Sequence, residues 1–122
     1  MPDDFPIRPV LFTRDATRAL EFYRDTLGFG VHWIHEQNGQ PFVFMASLFG
    51  MRVILNQTES DTEDRPGKGR VFVGLDEAKA ERFLRHVRER GIATSTTQWG
   101  APTTVIKDLD GNEFFVWLPP GA

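Results

Sequence analysis

The chain of 122 residues contains no cysteine, which excludes a disulfide framework, a thiolate metal site and a cysteine nucleophile. It has no apolar run near the roughly 20 residues that a bilayer-spanning helix needs, so no membrane partner is expected. The opening Met1-Pro2-Asp3-Asp4-Phe5 lacks the basic and then apolar regions of a secretory signal, and a cytoplasmic location is the expectation. Positive charge is in short supply: 14 basic against 17 acidic residues leave a formal charge of −3, which mildly disfavours the phosphate backbone of nucleic acid. No local Ser/His/Asp motif and no phosphate-cradling glycine loop occurs, and both absences weaken an enzymatic reading. Tyrosine is nearly absent, at one residue, against eleven phenylalanines and three tryptophans. Rings of that kind need a core, an interface or a ligand cavity to cover them.

What is present is organised as a repeat. Residues 9–13 read as a short apolar strand, after which the period changes. Ala16, Ala19, Leu20, Tyr23 and Leu27 fall on one helical face, with Arg18, Glu21, Arg24 and Asp25 on the other. Asp15 is placed to cap the first backbone N–H groups, and Gly28 to end the helix. Strands follow at 31–36, 41–49 and 51–57, separated by the turn signals Asn38-Gly39 and Gly50. Residues 58–68 read as a solvated linker. The order then recurs: a strand at 70–75, then a helix capped by Asp76, with Ala80, Phe83, Leu84 and Val87 on its apolar face, ended by Gly91. Strands at 92–97, 102–107 and 112–118 complete the second half, the last two joined through Asp108-Leu109-Asp110-Gly111-Asn112. The expectation is a single α+β domain over 1–122, made of two β-α-β-β-β modules, 6–57 and 69–119, joined by the linker 58–68. Half-length repeats cannot bury their faces alone, so the modules must pack together or with a partner's copies, and concave sheet faces offer a place for a ligand.

Asp15, Ala19-Leu20-Glu21-Phe22-Tyr23, Leu27-Gly28-Phe29, the helix entry Gly74-Leu75-Asp76-Glu77 and the loop Asp108 to Asn112 occur in a characteristic order and spacing. Through them the chain resembles the glyoxalase, bleomycin-resistance and extradiol-dioxygenase superfamily, also called the vicinal oxygen chelate fold, over residues 7–118. With Pro9-Val10-Leu11, Arg14-Asp15, Glu21-Phe22 and Trp99-Gly100 it looks most similar to the bleomycin-binding resistance proteins within that superfamily. The resemblance implies half-barrel sheets completed in a homodimer, domain-exchanged in those proteins, with the drug held unaltered in two crevices at the interface.

Metal-dependent members hold a divalent ion through His, Glu or Gln on the strands lining the cavity. Matched by motif offset, the first-strand positions are Arg8 and Arg70, the last-strand position is Phe115, and the remaining one falls at 54–56, which holds Ile54, Leu55 and Asn56. A guanidinium only donates and a phenyl ring offers no ligand atom, so no metal and no cofactor is expected. His32 and His35 are an odd number of residues apart on one strand, which sends them to opposite faces. His35 remains as a solitary acid–base candidate, and His86 is expected on the exposed side of the second helix.

The candidates for lining the crevice are Trp33, Phe42, Phe44, Asn56, Trp99, Glu113 and Trp117. By the resemblance, Trp33 and Trp99 take the places of drug-contacting aromatics, and Asn56 that of a small hydroxyl residue. Two indoles facing one slot can sandwich a planar heteroaromatic group, each contact adding about 0.5–1.5 kcal/mol beyond area burial. Phe42, Phe44 and Trp117 read first as core, whereas Trp99 sits in the polar run 95–100, where a large ring needs a reason. Glu113 shares a strand face with Phe115 and Trp117; it either suits a basic ligand or is a solvated strand end. Arg8 and Arg70 either face inward and clamp an anion or are ordinary surface charges. The function so read is a metal-free binding protein that sequesters an aromatic, bleomycin-type antibiotic or similar ligand between two copies. The alternatives are a glyoxalase-like metal-dependent lyase or dioxygenase, and a ligand-sensing or scaffold protein.

Overall fold

The computed structural model describes residues 7–120. The opening residues read above for a signal, the start of the first module at residue 6 and the last two residues of the domain lie outside the described residues. The first module comprises β1 (Val10–Thr13), α1 (Ala16–Glu21), β2 (Gly30–Gln37), β3 (Gln40–Leu48) and β4 (Met51–Gln57). The second comprises β5 (Arg70–Gly74), α2 (Glu77–Arg90), β6 (Ser95–Gln98), β7 (Pro102–Lys107) and β8 (Glu113–Trp117). Each module forms a four-stranded sheet, ordered β1-β4-β3-β2 and β5-β8-β7-β6, with the first pair parallel in both. The internal repeat is thus a repeat of topology, and the class is α+β.

Both helices start and stop where their end residues dictate. Asp15 accepts a hydrogen bond from the Arg18 N–H at 3.2 Å, and Asp76 one from the Lys79 N–H at 2.8 Å. Gly28 and Gly91 end the helical segments in the left-handed region, at φ 77° and 63°. The first helix departs from expectation in one respect: over Phe22–Thr26 it widens into a π-helical turn, with the Leu27 N–H donating to the Phe22 carbonyl at 2.9 Å. Tyr23 and Leu27 stay buried across the change.

The helix-covered faces of the two sheets merge into one core, which holds Leu11, Phe44, Val53 and Leu55 from the first sheet and Ile106, Phe114 and Val116 from the second. Tyr23 is shared between them: its ring is 5.9 Å from that of Phe44 and 6.3 Å from that of Phe114, both edge to face. Its hydroxyl donates to Asp108 Oδ2 at 2.7 Å. Asn112, fully buried, joins the modules polarly: its Nδ2 donates to the Phe12 carbonyl at 3.0 Å and to Asp108 Oδ2 at 2.9 Å, and its Oδ1 accepts from the Gly69 N–H at 2.9 Å.

His86 was expected in solvent, and the structure corrects this. It is half-buried, 2.7 Å from the Leu27 carbonyl and edge-on to Phe49, because α2 packs against the end of the first helix. Arg90 donates to the Asp25 carbonyl beside it at 2.9 Å. Gly28 permits that approach, since a Cβ there would lie 2.6 Å from the His86 ring.

The linker 58–68 is anchored along its length. The Arg65 guanidinium lies 3.9 Å over the Phe12 ring, and Arg14 donates to the carbonyls of Asp61 and Glu63, both at 3.1 Å. Gly67, at φ 82°, runs its backbone against the Asp110 carbonyl, leaving no room for a Cβ. Gly67→Ala should therefore lower the melting temperature by about 5–10 °C, measured by circular dichroism.

Burial pushes the Asp108 carboxyl above its ordinary range, against the opposing pull of the Asn112 and Tyr23 hydrogen bonds. The folded group then holds its proton more tightly than the unfolded chain does. Its contribution to stability is fully present below the ordinary carboxylate range and is lost as pH rises through the raised value. In urea titrations the advantage of the protein over Asp108→Asn should accordingly be larger in acid, below about pH 4, than at neutrality.

Candidate functional site

With one face of each sheet given to the shared core, the opposite faces are turned outward. The pleat decides which side chains they carry. On the first sheet, Trp33 pairs with Met45 and His35 with Val43, while Met45 pairs with Ile54 and Val43 with Asn56, so these residues share the outer face. A bulge between Val31 and Trp33 makes this arrangement: Val31 pairs with core-facing Ala46, yet Trp33, two residues on, points the other way. His32, the extra residue, lies 2.6 Å from the Ser47 hydroxyl.

On the second sheet the outer face carries Arg70, Phe72, Glu113, Phe115 and Trp117, with Arg70 opposite Glu113 and Phe72 opposite Phe115. Trp99 follows β6 in a tight turn closed by its N–H to the Ala101 carbonyl and by Gly100 at φ 75°. The turn lays the indole over the sheet. Its ring is 5.4 Å from Phe115, edge to face, and 5.3 Å from Phe72. Phe115 is covered, but Phe72 and Trp99, in contact with each other, are 52% and 48% exposed, and Trp117 on the same sheet face is 38% exposed, an aromatic surface that the described residues leave uncovered.

The charged residues complete this surface. The Arg70 guanidinium lies 4.1 Å over the Phe115 ring and donates from Nε and Nη2 to Glu113 Oε1, at 3.1 and 2.9 Å. The direction of Arg70, open in the sequence, is fixed by its pairing with Glu113: it faces outward, on the same side as the rings. Phe72 escaped sequence reasoning. Its signal was the alternation Arg70-Val71-Phe72-Val73, which assigns Phe72 to the same face as Arg70.

The structure divides the expected crevice residues into three groups. Trp33, 42% exposed, and half-buried Asn56 stand on the outer face of the first sheet. Trp99, Glu113 and Trp117 stand on that of the second. Phe44 is wholly buried against Tyr23, and Phe42, half-buried on the same helix-covered side, borders an open cleft of about 330 Å³ with Gln37 and Thr58. Trp33 and Trp99 thus lie on separate sheets with the core between them, and a single chain does not bring them to one slot. A second cleft, of about 300 Å³, opens between the start of β4 and β5, bordered by Phe49, Arg52, Phe72 and Lys79.

A divalent ion does not fit the second-sheet position that the resemblance marks for one. At the second-sheet position Arg70 is stacked on Phe115 and bonded to Glu113, and neither the guanidinium nor the ring can ligate a cation. Among the described residues, no three His, Asp or Glu side chains are grouped to hold a metal, and no helix is long and apolar enough to cross a membrane.

Solved structures of similar fold include the bleomycin-binding protein of Streptomyces verticillus, complexed with copper(II)-bleomycin. It is 18% identical, with a TM-score of 0.67 and coverage of 98% of this chain and 99% of that one. Lactoylglutathione lyase from Agrobacterium tumefaciens is 19% identical, with a TM-score of 0.63 and coverage of 97% and 96%. TnmS3, an antibiotic binding protein from Streptomyces sp. CB03234, is 20% identical, with a TM-score of 0.58 and coverage of 94% and 97%. At such identities the likeness is one of fold. No curated protein sequence matches the chain. The family model described as Glyoxalase/Bleomycin resistance protein/Dioxygenase superfamily matches residues 7–116, and the chain belongs to that superfamily.

Proposed function

We propose that this protein is a cytoplasmic, metal-free binding protein that sequesters an aromatic small molecule, a bleomycin-type antibiotic or a similar ligand, without transforming it. In this reading two copies pair so that the outer face of the first sheet of one meets the outer face of the second sheet of the other. Each crevice then takes Trp33 and Asn56 from one copy and Trp99, Phe72 and Trp117 from its partner. The observation that carries the reading is the half-exposed cluster of Phe72 and Trp99 over Phe115, a set of rings held in contact with none of the described residues covering it. Burying such rings is favourable, at about 25 cal/mol per Å² of apolar surface, and a flat ligand between indoles buries both of its faces.

Isothermal titration with bleomycin and other planar peptide antibiotics is the test. Saturable binding that survives dialysis against a chelator is the expected result. Turnover of the ligand, or a stoichiometric divalent ion retained by protein purified without chelators, would instead establish the glyoxalase-like enzyme.

A further inference from the structure

We infer that the ligand is an aromatic anion, a ring system bearing a carboxylate or similar oxyanion, and that Arg70 is the residue that recognises it. The inference rests on the aromatic-binding reading above and narrows it, away from cationic ligands of the bleomycin kind and toward aromatic anions. Arg70 is set up for this role by two neighbours. Glu113 takes the Nε and Nη2 protons of its guanidinium, and the face of Phe115 fixes the plane of the group. Of the five N–H donors of an arginine, three are left to point elsewhere, and an oxyanion is the partner their fork geometry fits. Phe72, two residues further along the same strand and on the same face, stands next to Trp99, so the rings and the guanidinium address neighbouring parts of one molecule.

Charge on this face argues the same way. Glu113, the one carboxylate among the outward residues beside the rings, is already matched by Arg70 at 2.9 Å. A cationic ligand must break that pair to reach it. An anionic ligand adds to the pair and leaves it intact. Lys107 lies opposite Glu113 on the adjacent strand, is exposed, and makes no ion pair among the described residues. This part of the surface is therefore net positive in a chain whose formal charge is −3.

Three matched probes test the inference: 2-naphthoate, 2-naphthalenemethanol and 2-naphthylmethylamine, titrated against tryptophan fluorescence of the full chain. The naphthoate should bind about ten-fold more tightly than the amine at low salt, a preference that shrinks in 0.5 M salt and disappears in Arg70→Gln. Arg70→Lys should restore only part of it, because an ammonium lacks the planar fork. If the amine binds as well as or better than the naphthoate, or the preference survives Arg70→Gln, the anion inference is overturned and the aromatic site stands. If none of the three probes binds, the aromatic-binding reading falls as well.

Discussion

Asn112→Ala should destabilise the protein by about 3–5 kcal/mol, against a total of roughly 5–15 kcal/mol for a domain of this kind. The substitution removes the side chain that bonds the Phe12 carbonyl in the first half and, in the second, the Gly69 N–H before β5 and the Asp108 carboxyl in the β7–β8 loop. Each abandoned partner loses its bond in a fully buried site, between the two modules. Because that core includes residues of both sheets, unfolding should remain a single transition, with fluorescence and circular dichroism coincident in urea. Two separated transitions would mean that the modules are stable apart. Asn112→Asp should be nearly as damaging at neutral pH, since it sets a second carboxylate against Asp108, and less so in acid, where one of the pair is protonated.

Trp99→Ala is expected to weaken ligand binding by about 30-fold or more while leaving the melting temperature within a few degrees of the parent. The indole is half exposed and lies over the sheet instead of inside the core, so its truncation removes ligand contact area and little folding energy. Loss of Phe72 should have a smaller effect of the same kind, of order five-fold, because its ring is the outer member of the cluster. A Trp99→Ala protein that binds as tightly as the parent would remove the aromatic surface from the account.

Much of the architecture was readable from period and punctuation. Apolar residues at helical spacing between Asp15 and Gly28, and again between Asp76 and Gly91, marked both helices, and the recurrence of the pattern matches the repeated strand order of the two sheets. The departures came where long-range packing acts on local pattern. The π-helical turn at Phe22–Thr26 has no local breaker residue to announce it. His86 looked solvent-facing on its own helix, and only the packing of α2 against Gly28 covers it. The bulge at His32 reverses the alternation of β2, which no count along a single strand can detect. For the site, Trp33, Asn56, Trp99 and Glu113 stand on outward faces, and Trp117, which reads first as core in the sequence, stands outward with them at 38% exposure because it shares the strand parity of Glu113. Phe44 lies in the core, as its first reading has it, although a phenylalanine on an alternating strand also left a place in the crevice open. The outward direction of Arg70 required the register of β5 on β8, a pairing of residues 43 apart.

Crevices built from two copies, one indole from each, are the central claim of the proposed function. Mixing Trp33→Ala protein with Trp99→Ala protein, and titrating the exchanged mixture with the aromatic ligand, tests this most directly. A mixed dimer has one crevice with both indoles and one with neither, so high-affinity sites absent from either variant alone should appear on mixing. If mixing restores no tight binding, the two indoles do not face each other across copies and the shared crevice is contradicted.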